Sequence, residues 1–480
     1  MSLIPNDEQT AYRQRRIVEA FQHAWKGYRT DAFGRDEYQP LTHSGHDWAP
    51  GGLGLMITDA LDTMLLMNLT DEYNEAREWV ATKLDFDKNQ DVNLFETTIR
   101  VLGGLLSAYH LSGNDPVYLG KATDLGNRLL GAFHSESGIP YASVVLSTGL
   151  AYKPHVPSST AEVTTIQLEF KYLSYLTGDD KYKGAVDKVM KRMEDLIEKG
   201  STVDGLVPIL IHPVSGEFTT SEIRLGSRGD SYYEYLLKQY LQTGKTEKKY
   251  RDMYDHAMRG VRTHLLGRSF PNNLLYIGEL LDSDPTKLHS KMDHLVCFIG
   301  GSFALGATEG RTLADHPQMS QVDLEDLEVG KQITRTCYEM YNSTATGLAS
   351  EIVYFNTEKD AAADAADIMI KPRDRHNILR PETLESIFLL WRLTGDEIYR
   401  EWGWKIFEAF EQYTKLPGGG YAALKDVTQI PPVKDNRMDT FFLAETLKYL
   451  YLLFSPNDLL PLEHYVLNTE AHPLPVIHFK

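Results

Sequence analysis

Seven times along this chain an apolar helical stretch runs into a turn of one kind, and that repetition limits the fold more than any other feature. The turns are MNLTDEY at Met67, YHLSGNDPVY at Tyr109, YLTGDDKY at Tyr175, YLQTGKTEKKY at Tyr240, FALGATEG at Phe303, WRLTGDEIY at Trp391 and YLLFSPND at Tyr451. The stretch LRPETLESIFLLWRLTG shows the design. Pro381 suits a first helical turn, Leu384, Ile387, Phe388 and Trp391 recur at i, i+3, i+4 and i+7, and Thr394-Gly395 supplies a stop. After most turns comes a more charged helix, such as KYKGAVDKVMKRMEDLIEK. Helices that are apolar nearly all round belong inside and amphipathic ones outside. Seven inner and roughly seven outer helices in alternation predict an all-α (α/α)7 barrel, with a solenoid as the alternative that lacks evident capping repeats. Strand signals are confined to connections such as STVDGLVPILIHP and to HYVLNTEAHPLPVIHF, expected as a C-terminal β-hairpin plugging one end.

The repeat argues for one domain over residues 11–480 after a flexible tail at residues 1–10, where length alone would suggest two or three. A first helix is expected over residues 11–28, with Ile17, Ala20, Phe21, Ala24 and Trp25 on one side. The following AFGRDEYQPLTHSGHDWAPGG reads as a long loop. A net charge of -18 excludes a nucleic-acid backbone or an anionic membrane as a natural partner, and leaves neutral ligands open. No apolar run is long enough to span a bilayer, and MSLIPNDEQTAYRQRR has no leader pattern. The chain is therefore expected to be cytosolic or to have lost an N-terminal leader or anchor. Cys297 and Cys337, the only cysteines, are compatible with two buried thiols in a reduced compartment.

Acids open almost every inner helix: Asp59 and Asp62, Glu96, Asp230 and Glu234, Asp293, Glu382 and Glu385, Asp439 and Glu445. First-turn acids are favoured by the helix dipole at any exposed helix start. These helices are too apolar to lie at the surface, however, and buried carboxylates need partners. Arg100, Arg228 and Arg380, beside Glu96, Asp230 and Glu382, are candidates. An excess of carboxylates over arginines at one end of a barrel points to a bound cation and to acid/base chemistry, and calcium suits oxygen ligands. HExxH, paired CxxC, an EF-hand loop and a Gly-x-Ser-x-Gly elbow are all missing. His23, His43, His46, His294 and His472 read as structural.

The blocks AWKGY, GLGLMITDALDTM, FETTIRVLGGLLSAYHLSG, DSYYEYLLK, MDHLVCF, LRPETLES, FFLAETLKYLYLLF and NTEAHP occur in that order. On them the chain, from Ala24 to Pro473, resembles the class I α1,2-mannosidases of glycoside hydrolase family 47. The resemblance implies an (α/α)7 barrel that hydrolyses terminal α1,2-linked mannose from N-linked high-mannose glycans with inversion, using one calcium ion. It implies that Glu382 is the general base, that Glu96 is the general acid with Asp230 its rival, and that Thr469 is the calcium ligand through its hydroxyl and carbonyl. Glu385, Glu445 and Glu470 would hold the ion's waters or the sugar, and Phe441 would pack on the mannose ring. Arg100 and Arg380 would line the substrate site.

Inversion needs acid and base about 6.5 to 9.5 Å apart, which disfavours Glu382 and Glu385 as the couple. Cys297 and Cys337 fall where the family places its disulfide, a closure worth roughly 4 kcal/mol. That implies an oxidising compartment, the endoplasmic reticulum lumen or the Golgi. Sequons stand at Asn68 and Asn342. Arg228 resembles the endoplasmic-reticulum type, which removes one middle-branch mannose from the nine-mannose glycan to leave the eight-mannose isomer B. A monomer is expected. Gly300, Ser350 and the MDTFF run depart from the family pattern and are expected to alter a loop lining the glycan channel. The competing functions are a lectin-like degradation factor on the same barrel, a Golgi-type enzyme with broader trimming, and a barrel acting on another polysaccharide.

Overall fold

Helices that bury every face alternate along the chain with helices that bury one, as their residue types require. The computed structural model describes residues 8–153, 155–282, 284, 286–316 and 318–479. It divides into two units. One draws on Met1–His46, Gly267–Ile277 and Ser290–His464, the other on Asp47–Leu266, Gly278–His289 and Tyr465–Lys480. Both are discontinuous in sequence, so no single cut of the chain separates them.

The second unit carries four inner helices: Leu55–Leu66, the run ending in Gly103–Leu111, Gln167–Thr177 and Asp230–Gln242. Each packs on the outer helix that follows it: Thr70–Thr82, Pro116–Leu129, Lys181–Glu198 and Lys248–Gly260. In Asp230–Gln242 every residue after Asp230 is buried, whereas Lys181–Glu198 buries only Tyr182, Val186, Val189, Met190, Met193 and Leu196. Neighbouring inner helices touch backbone to backbone where glycine allows it. A Cβ at Gly104 would lie 2.4 Å from the Thr58 carbonyl oxygen.

The first unit repeats the plan with inner helices Ile299–Thr308, Glu382–Thr394 and Leu447–Leu453 and outer helices Gln321–Asn342, Ile398–Tyr413 and Glu8–Asp31. Of the seven inner helices among the described residues, six end inside the turn that marked them in the sequence, and Leu55–Leu66 ends one residue before its turn at Met67. Pro381 caps its helix instead of opening it, and Gly395 ends it with φ 70°. The first helix starts at Glu8, so residues 8–10 are helical where a tail was expected, and residues 1–7 lie outside the described part. The expected long loop contains a short hairpin, Glu37–Gln39 with Ser44–His46. Gly300 belongs to no loop: it sits in a buried helix against Gly330, and a Cβ there would come within 2.2 Å of Thr334 Oγ1. Strands are two to four residues long, antiparallel, and confined to connections. The last pair, Tyr465–Leu467 with Pro473–Pro475, is the expected C-terminal hairpin.

Candidate active site

The five-residue loop of the C-terminal hairpin is tied to every inner helix of its unit. Asn468 Nδ2 donates to the Ile99 carbonyl at 3.0 Å and to Glu169 Oε1 at 2.8 Å, while Asn468 Oδ1 accepts from the Glu470 and His472 amides at 2.9 and 2.8 Å. The hydroxyl of Thr469 donates to Glu234 Oε2 at 2.8 Å, and its amide donates to the Tyr235 hydroxyl at 3.3 Å. His472, fully buried, bridges Asp62 at 2.7 Å and Asp59 at 3.0 Å. Glu470 Oε1 accepts from Arg100 at 2.5 Å. The hairpin is thus fixed by polar contacts inside an apolar set of helices, which is where such contacts are strongest.

Arg100 gathers the acids of this region. Its Nε donates to Glu96 Oε2 at 2.8 Å, and Asp59 stands 3.6 Å away. Burial opposes its charge, but Glu470, Glu96 and Asp59 together hold it well above the ordinary arginine range. Arg100 lies in a π-helical turn, Thr97–Leu102, directly after Glu96. Such turns re-aim side chains and recur at functional sites. Glu96 itself is set by Asn93, which caps the helix by accepting the Glu96 amide at 2.8 Å. Asn93 also donates to Glu162 at 3.2 Å. Burial raises Glu162; the Asn93 bond opposes this, Glu96 adds to it, and Arg228 works against it. Arg228 is exposed, with left-handed backbone at φ 72°, two residues before Asp230 opens its helix. Asp230 accepts the Ser231 amide at 2.9 Å.

In the first unit the expected residues gather around Glu382. His294 Nδ1 lies 2.8 Å from Glu382 Oε2, and Arg380 lies 3.5 Å from its other oxygen. Burial pushes Glu382 upward, but the bond to His294 and the Arg380 charge outweigh it and hold the carboxyl below its usual range. His294 Nε2 faces the Tyr341 hydroxyl at 2.9 Å and the Thr383 hydroxyl at 3.0 Å. Two hydroxyls that can donate there leave the ring proton on Nδ1, aimed at Glu382. Arg380 donates to Glu351 at 2.6 Å and stands 5.8 Å from the centre of the Phe441 ring. Leu379, just before it, has φ 69°. Glu385 and Glu445 are buried on neighbouring elements, the latter in a second π-helical turn, Phe442–Thr446. Cys297 and Cys337 are disulfide-bonded, joining the turn that carries His294 to the helix that carries Tyr341.

Sequence reasoning missed four partners. His294 read as structural, yet it contacts Glu382 directly. Glu351 stood beside the noted Ser350 in GLASE, and Glu162 and Glu169 are acids in short or apolar helices where only folding reveals their company. Among the described residues no group of three His, Cys, Asp or Glu side chains is arranged to hold a metal ion. A hydroxyl whose proton is already committed to Glu234, as at Thr469, still offers lone pairs to a hard cation.

The profile of glycosyl hydrolase family 47 matches residues 20–476. A mannosyl-oligosaccharide 1,2-α-mannosidase of Arabidopsis thaliana is 49% identical over 98% of this chain and 80% of its own length. The human endoplasmic reticulum mannosyl-oligosaccharide 1,2-α-mannosidase is 50% identical over 97% of this chain, which spans 64% of that protein. The solved α-1,2-mannosidase of Trichoderma reesei superposes with a TM-score of 0.87 at 26% identity, covering 97% of this chain and 99% of that one. Helical make-up and this likeness give the fold class expected from the repeat, that of the (α/α)7-barrel mannosidases. With a profile spanning nearly the whole chain and relatives at half identity, the chain belongs to glycosyl hydrolase family 47.

Proposed function

We propose that this glycoside hydrolase, a mannosyl-oligosaccharide 1,2-α-mannosidase by kinship, is a calcium-dependent, inverting exo-enzyme that trims terminal α1,2-linked mannose from high-mannose N-glycans on glycoproteins. The observation that carries this is the setting of Glu382, a largely enclosed carboxyl with His294 at 2.8 Å and Arg380 at 3.5 Å, which hold it below its usual range. A general base must be deprotonated before it can draw a proton from water. In this scheme Glu382 takes that proton, Glu96 gives one to the departing sugar oxygen, and Asp230 is the third essential carboxylate. Phe441 packs on the mannose ring, and Arg100 and Arg380 position the acids around it.

Thr469 would hold the calcium ion through its hydroxyl and carbonyl oxygens, with Glu385, Glu445 and Glu470 holding waters or sugar hydroxyls around it. Such an ion supplies charge that polarises bound water and sugar oxygens. Exposed Arg228 reads the glycan branch, favouring the nine-mannose to eight-mannose isomer B conversion. The enzyme works as a monomer in the endoplasmic reticulum lumen, which agrees with the disulfide and with the compartment in the names of several relatives.

Purified protein incubated with a nine-mannose oligosaccharide is expected to release one mannose as the β anomer, to stop with a chelator, and to resume with calcium. Glycan binding without release in calcium would replace the enzyme by a lectin-like factor. Exchanging Arg228 for Leu should let trimming continue past eight mannoses; an unchanged product pattern removes Arg228 from specificity. Of E96Q and D230N, the acid's variant is the one whose rate recovers with a fluoride leaving group, because that group departs without a proton.

A further inference from the structure

Glu169 sits on the first turn of the inner helix Gln167–Thr177 with no exposed surface. Its Oε1 accepts two bonds at once, from the Tyr235 hydroxyl at 2.7 Å and from Asn468 Nδ2 at 2.8 Å, and its Oε2 has no hydrogen-bond partner among the described residues. Each donor leads to the hairpin loop. Tyr235, having given its proton to Glu169, accepts the Thr469 amide at 3.3 Å. Asn468, with its amide nitrogen fixed by Glu169 and the Ile99 carbonyl, turns its oxygen into the loop, where it accepts the amides of Glu470 and His472. An amide side chain free to flip would lose both sets of bonds together.

We propose that Glu169 is the positioning residue of the Thr469 loop: one carboxyl oxygen orients Tyr235 and Asn468, and through them fixes where Thr469 presents its oxygens to a divalent cation. The proposal deepens the assignment of Thr469 as calcium ligand and rests on it. What the loop needs from Glu169 is an acceptor at one place rather than a charge. Glutamine, which keeps one acceptor oxygen, therefore supplies it, and alanine does not.

The test uses the full chain as wild type, E169A and E169Q. Two quantities are measured: the calcium midpoint of the thermal-unfolding shift, and hydrogen exchange at the Glu470 and His472 amides in chelated protein. E169A should weaken the calcium midpoint by about tenfold or more, as loss of a partner that orients a ligand does, and should speed exchange at both amides by a similar factor. E169Q should restore both within about threefold of wild type. Wild-type behaviour in E169A, or an E169Q as impaired as E169A, overturns the proposal. If E169A does not fold, Y235F takes its place, with faster exchange expected at the Thr469 amide and a weaker calcium midpoint; wild-type values for both overturn it equally. A wild type with no calcium shift at all defeats the calcium assignment instead, and the exchange data on chelated protein still decide the role of Glu169.

Discussion

Glu382 and Glu169 both stand on the first turn of an inner helix, one in each unit, and their carboxyls are shifted in opposite directions. Around Glu382 the donors are a histidine at 2.8 Å and an arginine at 3.5 Å, and the carboxyl stays below its ordinary range in spite of enclosure. Around Glu169 they are a tyrosine hydroxyl and an asparagine amide, both neutral, and burial carries the group up to about 7. Glu169 has no exposed surface and Glu382 keeps 13% of its side chain exposed, so both are largely enclosed. What differs most is the supply of positive charge, and that sets the direction of the shift. A carboxyl with an arginine and a histidine N–H beside it suits proton abstraction, while one met by neutral donors alone suits holding parts in place. Glu162 belongs with the second kind, with one amide donor and burial as the dominant influence.

The strongest way to break this contrast is Glu382→Gln. If the ionised state of that group is the reason for its surroundings, mannose release should fall on the order of a thousandfold while glycan binding persists. More than a tenth of wild-type turnover would show that His294 and Arg380 beside Glu382 serve something else. Next in size is the disulfide, which joins the two elements carrying His294 and Tyr341. Its closed loop, 40 residues in separation, predicts about 4 kcal/mol of unfolding free energy lost in a C297A/C337A variant. Denaturant titration reads that loss, and an unchanged midpoint would mean that packing alone holds the Glu382 side. His294→Ala should cost about ten- to a hundredfold in kcat/KM, the range for a bond to a charged group. The sign follows from the base. His294 lowers Glu382, so its removal raises it, and the acidic limb of the pH profile moves toward neutral pH. The deficit should shrink as pH rises; a limb that stays in place separates His294 from the ionisation of Glu382.

Periodicity carried the architecture because burial and period are the same information. The seven turns bounded seven helices, and Ile17, Ala20, Phe21, Ala24 and Trp25 face inward as their spacing required. Close packing of glycines was not legible in that way: Gly300 matches no periodic rule, and only its contact with Thr334 explains why a side chain is excluded there. At the candidate site the acids were visible as first-turn residues, but their states were not. Whether Glu382 or Glu169 is ionised depends on His294, Arg380, Tyr235 and Asn468, which lie from 2 to some 300 positions away in the chain. The numbers of the second pair, 169 and 468, put nothing in the local sequence that could signal the contact. Thr469 shows the same difficulty, since a threonine in a hairpin loop gives no hint that its proton is committed to Glu234.

The smallest expected effect is the sharpest for the comparison, because the two carboxyls must then act with opposite sign. Folded Glu169 titrates near 7 against an ordinary value of 4.5. Between those values the folded state binds more protons than the unfolded state, so this group's contribution to stability falls as pH rises. Glutamine does not titrate, so the stability of metal-free wild type relative to E169Q should decline by on the order of 2 kcal/mol from pH 5 to pH 7.5. Glu382, lowered in the folded state, contributes stability that is present above its ordinary value and is lost as pH falls through its folded one. Relative to E382Q, wild type should therefore gain stability with rising pH in the acid range. Chemical unfolding of the three proteins across pH 3 to 8 measures both slopes. Parallel curves would mean that the neutral donors at Glu169 and the Arg380 charge with the His294 bond at Glu382 shift the two carboxyls alike, and that charge supply does not distinguish the two regions.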